Sequence, residues 1–162
     1  MEPNQPNPPS DWQPGPAFKE AQRRRADLHQ ALVALEESIS SPASGRLEQW
    51  TADVTKHLNE LLQMIDEHIE MTERVGGLYD DIKKRAPRLS GSIERLHQEH
   101  PVLREATREL VQRFESTSVG EGWPLRDARD DVQRVLGKLV RHRQEGADLM
   151  WEAYNLDIGG LG

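Results

Sequence analysis

Between Leu89 and Phe114 one side of the chain repeats with almost no error. Leu89, Ile93, Leu96, His100, Leu103, Thr107, Leu110 and Phe114 are separated by steps of 4, 3, 4, 3, 4, 3 and 4. That spacing is one face of an α-helix and fits no strand. A histidine stands near the middle of the face, where leucine is the default residue. His97 lies three residues earlier, on the edge of the same face. Two more segments follow the rule. One carries Val54, Leu58, Leu61, Ile65, His68, Thr72 and Val75; the other carries Val132, Val135, Leu139, His142, Gly146, Leu149 and Ala153. Three amphipathic helices each place one histidine on the buried seam.

The chain has 162 residues, enough for one domain with a real core. Hydrophobic residues make up 35% and charged residues 30%, the balance of helices that bury one stripe and solvate the rest. Aromatics are scarce and β-branched runs are lacking, which argues against a sheet. The net charge of −7 makes the chain a poor match for nucleic acid or an anionic membrane. The short basic runs Arg23-Arg24-Arg25 and Lys83-Lys84-Arg85 are flanked by acids and read as solvated faces. With no cysteine, disulfides, zinc–thiolate sites and iron–sulfur clusters drop out, so a metal would need His, Asp, Glu or Tyr. No apolar run spans a bilayer and no secretory leader is visible, so the expected location is cytoplasmic.

Residues 1–16 hold six of the ten prolines and read as a disordered or polyproline-like arm. Pro16 suits the first turn of helix A, which runs to about Ile39 with Ala21, Leu28, Leu32, Leu35 and Ile39 on one stripe. Arg25 interrupts that stripe, and the first half is expected to be less well buried. Helix B is expected from about Leu47 to Lys83, weakened near its end by Gly76-Gly77. Helix C spans about Pro87 to Glu115, with Pro101 predicting a bend beside its histidines. Helix D follows Pro124 and runs to about Tyr154, before a glycine-rich tail over 156–162. The architecture this implies is all-α: an antiparallel up-down-up-down four-helix bundle over residues 17–155.

Antiparallel packing brings the histidines together. His68 lies about 18 residues before the B–C turn and His100 about 14 after it, while His100 and His142 lie about 16 and 18 residues from the C–D loop. At about 1.5 Å per residue, His68, His100 and His142 fall within one or two turns of a common level, and His29 falls roughly 15 Å away. Neutral imidazoles facing one another in a bundle core suit iron, zinc or copper. Candidate carboxylates lie at the seam's edge: Glu73, Glu94, Glu99, Glu145 and Asp148. The three histidines could instead satisfy one another, or pair with Glu73 and Glu145, without a metal. No nucleophile elbow or phosphate loop accompanies them.

The runs His68–Leu78, Leu96-His97-Gln98-Glu99-His100-Pro101-Val102-Leu103 and His142–Tyr154 resemble hemerythrin-like (HHE cation-binding) domains. The resemblance covers about residues 20–155. It implies an antiparallel four-helix bundle holding non-haem iron, one or two ions, in oxygen binding, nitric-oxide chemistry, sensing or iron handling. Glu99-His100 matches the family's helix C motif, and His68 and His142 match its helix B and D histidines; His29 matches the helix A histidine by order alone. The family usually has a carboxylate four or five residues after the helix B and D histidines. Here the fourth positions are Thr72 and Gly146. Glu73 supplies the fifth in helix B, whereas the fifth in helix D is Ala147, leaving Glu145 or Asp148. A ferritin-type centre would need two Glu-x-x-His motifs, and only Glu94-x-x-His97 is present.

The metal set expected from the sequence is therefore His68, His100 and His142, with His97, Glu73 and Glu145 as second-choice ligands. The bound ion would be iron, with a small gas as its own ligand and no nucleic acid or membrane as partner. The competing reading is a metal-free bundle, its site degenerate, acting as an interaction module that meets a protein partner through the proline-rich arm or the tail. Enzymatic redox chemistry ranks third, since nothing identifies a substrate. Because the arm offers almost no apolar surface, deleting residues 1–15 is expected to leave the melting temperature within a few degrees of the full chain. A thermal melt monitored by circular dichroism checks this, and a larger fall would show that Trp12 or the prolines pack on the bundle.

Overall fold

A computed structural model describes residues 15–154; most of the proline-rich arm and the whole glycine-rich tail lie outside the described residues. Helices take up 86% of those residues. Four are long: α1 (Pro16–Ser40), α2 (Leu47–Glu73), α4 (Ser90–Ser116) and α5 (Leu125–Tyr154). A short α3 (Leu78–Arg85) and a single 3₁₀ turn (Pro87–Leu89) link α2 to α4. Among the described residues there is no strand, only one isolated bridge between Val119 and Trp123. The long helices form the expected antiparallel up-down-up-down bundle. Around the ring α1 packs on α2, α2 on α4, α4 on α5, and α5 returns to α1.

The seams read from the sequence are the buried faces. Val54, Leu58, Leu61 and Ile65 of α2 are buried, as are Ile93, Leu96, Leu103 and Leu110 of α4 and Val132, Val135 and Leu139 of α5. Each such side chain contributes about 1.5–3 kcal/mol when fully withdrawn from water. α4 stays helical through Pro101, which leaves its ring on the exposed side.

Helix B is not continuous to Lys83. It ends at Glu73, and the chain turns through Arg74–Gly77 before α3 begins. Gly76 adopts φ +76°, a left-handed conformation that side chains disfavour, and its N–H donates to Asp80 Oδ2 at 2.8 Å. At Gly77 a Cβ would lie 2.5 Å from the Met71 carbonyl oxygen and 2.9 Å from that of Arg74. The Gly-Gly pair therefore ends the helix instead of merely weakening it, and it re-aims the chain so that Tyr79 of α3 covers the histidine region.

The core is divided. One apolar cluster contains Leu28 to Ile39 of α1, Trp50 to Ile65 of α2, Leu103 to Phe114 of α4 and Ala128 to Leu139 of α5. The other contains Phe18 and Ala21, Met71, α3, Ile93 and Leu96, and Ala147 to Tyr154. Between them each long helix supplies one ionisable side chain to a common layer: Arg25, His100 and His142 are buried and His68 partly so. Arg25 does not leave the first half of α1 exposed, as its place on the stripe suggested. Phe18 and Ala21 are buried and so is Arg25 itself; Phe18 meets Tyr154 edge-on at 4.9 Å.

Gly77→Ala is expected to cost about 1–3 kcal/mol, because the new methyl meets backbone that cannot retreat. Gly137→Ala, in the interior of α5 with nothing within 4 Å of the added Cβ, is expected to be neutral or to stabilise by up to about 1 kcal/mol. Urea unfolding of the two variants beside the parent chain measures both.

Candidate metal centre

His68, His100 and His142 come from α2, α4 and α5, and one nitrogen from each lies within 4.8 Å of the others. Their ring centroids are 4.9–5.4 Å apart, with the rings edge to face. His100 and His142 are buried. His68 keeps some exposed surface, although its Nδ1 is fully buried.

Two carboxylates set the tautomers. His100 Nδ1 lies 2.5 Å from Glu73 Oε2, and His142 Nδ1 lies 3.3 Å from Glu99 Oε2. A carboxylate accepts, so both rings carry their proton on Nδ1 and leave Nε2 as a lone pair. Tyr79 O–H donates to His100 Nε2 at 3.3 Å, its ring nearly parallel to the imidazole. His142 Nε2 faces His68 Nε2 at 3.4 Å, so His68 must donate there. That leaves His68 Nδ1 a buried acceptor with no partner in the protein, an arrangement that costs about 1–3 kcal/mol.

Electrostatics keep His68 and His100 neutral. Burial is the main force pushing the His68 pKa well below its ordinary value, and His100, His142 and Arg25 add to it. Burial also lowers His100, against the opposing pull of its hydrogen bond to Glu73. Burial raises the Tyr79 phenol, which stays protonated. Neutral, convergent imidazoles with anchored outer nitrogens are the form in which histidine ligates a metal.

The second-choice residues lie further out. Glu73 bridges the buried His100 and the exposed His97, whose Nδ1 is 3.5 Å from Glu73 Oε1. Glu145 is exposed and sits beside Glu99; partial burial raises its pKa, and the hydrogen bond with Glu99 raises it further. His29 is half-buried and outside the cluster, while His57 pairs with Glu60 at 3.2 Å. Arg25 and Tyr79 belong to the site although sequence reasoning passed over them. Arg25 takes the α1 place in the layer and lines a cavity with Tyr79, His68 and His142. The signal for Arg25 was present, as a charge on an apolar stripe. None existed for Tyr79, which depends on the turn at Arg74–Gly77.

The fold and site together define a four-helix bundle with a histidine-lined, cation-competent core. The model of the Hemerythrin HHE cation-binding domain matches residues 19–149, and the chain belongs to that family. Comparisons with curated proteins and with solved structures give no match.

His68 and His100 resist protonation when folded, and unfolding frees them to titrate near 6.5. The unfolded chain therefore binds more protons below that pH, and the stability these groups contribute is present above about pH 6.5 and lost as pH falls through it. In chelator-treated protein the melting temperature is expected to drop between about pH 7.5 and pH 5.5, and His68→Gln to flatten the slope. Thermal melts across that range check it.

Proposed function

We propose that this domain binds non-haem iron through His68, His100 and His142, and serves to bind or sense a small gas, oxygen or nitric oxide, or to handle iron. The observation that carries the reading is the convergence of three imidazoles from three helices, two of them held from behind by Glu73 and Glu99. With a cation bound, His68 would carry its proton on Nδ1 and turn the Nε2 lone pair toward the site beside that of His142. An iron ion would supply reversible ligand binding and one-electron chemistry at this position. The chain's own residues do the rest. Glu73 and Glu99 orient the rings and raise their basicity. Tyr79 offers a buried O–H beside His100, and the two apolar clusters keep bulk water from both sides. Glu73 and Glu99 spend their oxygens on outer nitrogens, which favours one ion over two.

Among the described residues no helix is long and apolar enough to cross a membrane; the reading takes a cytoplasmic setting. His97 and Glu145 remain on the rim as second-choice ligands, the former tied to Glu73 and the latter to Glu99.

The test compares the parent chain with His68→Leu, His100→Leu and His142→Leu, each purified from iron-supplemented cells. The parent is expected to carry iron, to show a ligand-to-metal absorption band and to melt higher than its chelated form. Each variant should lose iron affinity by more than about tenfold and lose the iron-dependent part of its stability, since a ligand matters at least as much as its supporting shell. Comparing the iron-dependent difference removes the separate cost of leaving Tyr79 and Glu73 without His100. Equal iron content in parent and variants would overturn the reading and favour the metal-free interaction module.

A further inference from the structure

We propose that the cavity between Arg25 and Arg143, beside the imidazole trio, is a binding site for a small monovalent anion. The inference names ligand chemistry at the same site as the function proposed above. It rests on the buried Arg25 guanidinium, however, and holds with or without a metal.

Arg25 is only 7% exposed. Its Nη1 approaches the Met150 sulfur at 4.0 Å, and a thioether is a weak acceptor for a charged donor. A guanidinium carries five N–H donors and stays charged, and buried charges are ordinarily paired. Arg143 stands on the same cavity, close enough to lower the Arg25 pKa to about 10, with burial the larger cause. Asp148 favours the charged form of Arg25 from a distance, but it is exposed and accepts from Gln144 Nε2 at 3.0 Å. Among the described residues no carboxylate lines the cavity.

Among the remaining walls the Tyr79 and Thr72 hydroxyls donate to His100 and to the His68 carbonyl, which leaves Arg25 as the charged donor, and Leu28 and Leu149 exclude water. In such a poorly hydrated place charge-assisted hydrogen bonds are strong. The cavity holds about 20 Å³, room for a group of one or two heavy atoms and too little for a phosphate or a metabolite carboxylate. α1 thus contributes a fixed cation where the other three helices contribute imidazoles, so the site offers both a lone-pair cluster and an anion cradle.

Bromide is the probe. Chelator-stripped protein, with residual metal measured on the same sample, is crystallised and soaked in sodium bromide. In parallel, its melting temperature is titrated with bromide against sodium sulfate of matched ionic strength. The expected results are an anomalous bromide peak in contact with Arg25 and a bromide-dependent rise in melting temperature. Arg25→Met should weaken the apparent bromide affinity by about tenfold or more, the loss of one charge-assisted hydrogen bond. Arg25→Lys, which keeps the charge and tests against simple misfolding, should retain part of it. His100→Leu should keep the bromide response while losing iron, so failure of the iron reading leaves this one standing and the reverse. Bromide found only outside the cavity, or an equal bromide response in the parent and Arg25→Met, would overturn the proposal.

Discussion

The structure turns on one contradiction that it resolves locally: four ionisable side chains, three of them buried and His68 partly so, meet at one level of a largely apolar bundle. An imidazole or guanidinium taken from water without partners is expensive, and the expense is greatest where the surroundings are driest. Glu73 and Glu99 answer it for His100 and His142 from positions with partial access to solvent, where a carboxylate keeps its charge at little cost. Tyr79 answers it from α3. What is left over is an acceptor on His68 with no partner among the described residues and the Arg25 guanidinium, held only by the Met150 sulfur, and both residues line the cavity.

The long helices were legible because periodicity and burial follow from the same cause. A seam of leucines at 3–4 spacing has one way to leave water, and counting residues from each turn gives the level at which seams meet. That arithmetic brought His68, His100 and His142 together correctly, because helix rise is constant and the connecting loops are short. It set His29 apart for the same reason. It failed wherever a local backbone event reset the count. Gly76 and Gly77 looked like weak points in a helix, whereas close approach to the Met71 carbonyl makes them its end. With α3 redirected, Tyr79 arrived somewhere that no spacing rule could have placed it. Arg25 was misjudged on chemistry, since a charge on an apolar stripe was taken to mark a less well buried stretch, whereas Arg25 is itself buried beside the Met150 sulfur.

The outer carboxylates show a related limit. By spacing Glu73 lay five residues after His68 and Glu145 three after His142, and both were candidate ligands. In three dimensions Glu73 reaches across to His100 of another helix, while Glu145 faces solvent and shares a hydrogen bond with Glu99. A sequence shows which residues lie on one helix face, but which carboxylate reaches which ring depends on how the helices are rotated against one another.

Leucine-striped rods can slide. Moving one by a turn, about 5.4 Å, exchanges one leucine for another and costs little in contact area. The layer of Arg25, His68, His100 and His142 removes that freedom. A one-turn slip of α4 would set Leu96 or Leu103 opposite His68 and His142, press His100 into aliphatic side chains, and strip Glu73 and Tyr79 of their partner. Each mismatched polar group would add about 1–3 kcal/mol, so several together amount to a large fraction of the total stability of a typical domain. The four residues that carry the chemistry thus also act as an alignment key, and apolar replacement of all of them would yield a bundle free to choose among several stackings.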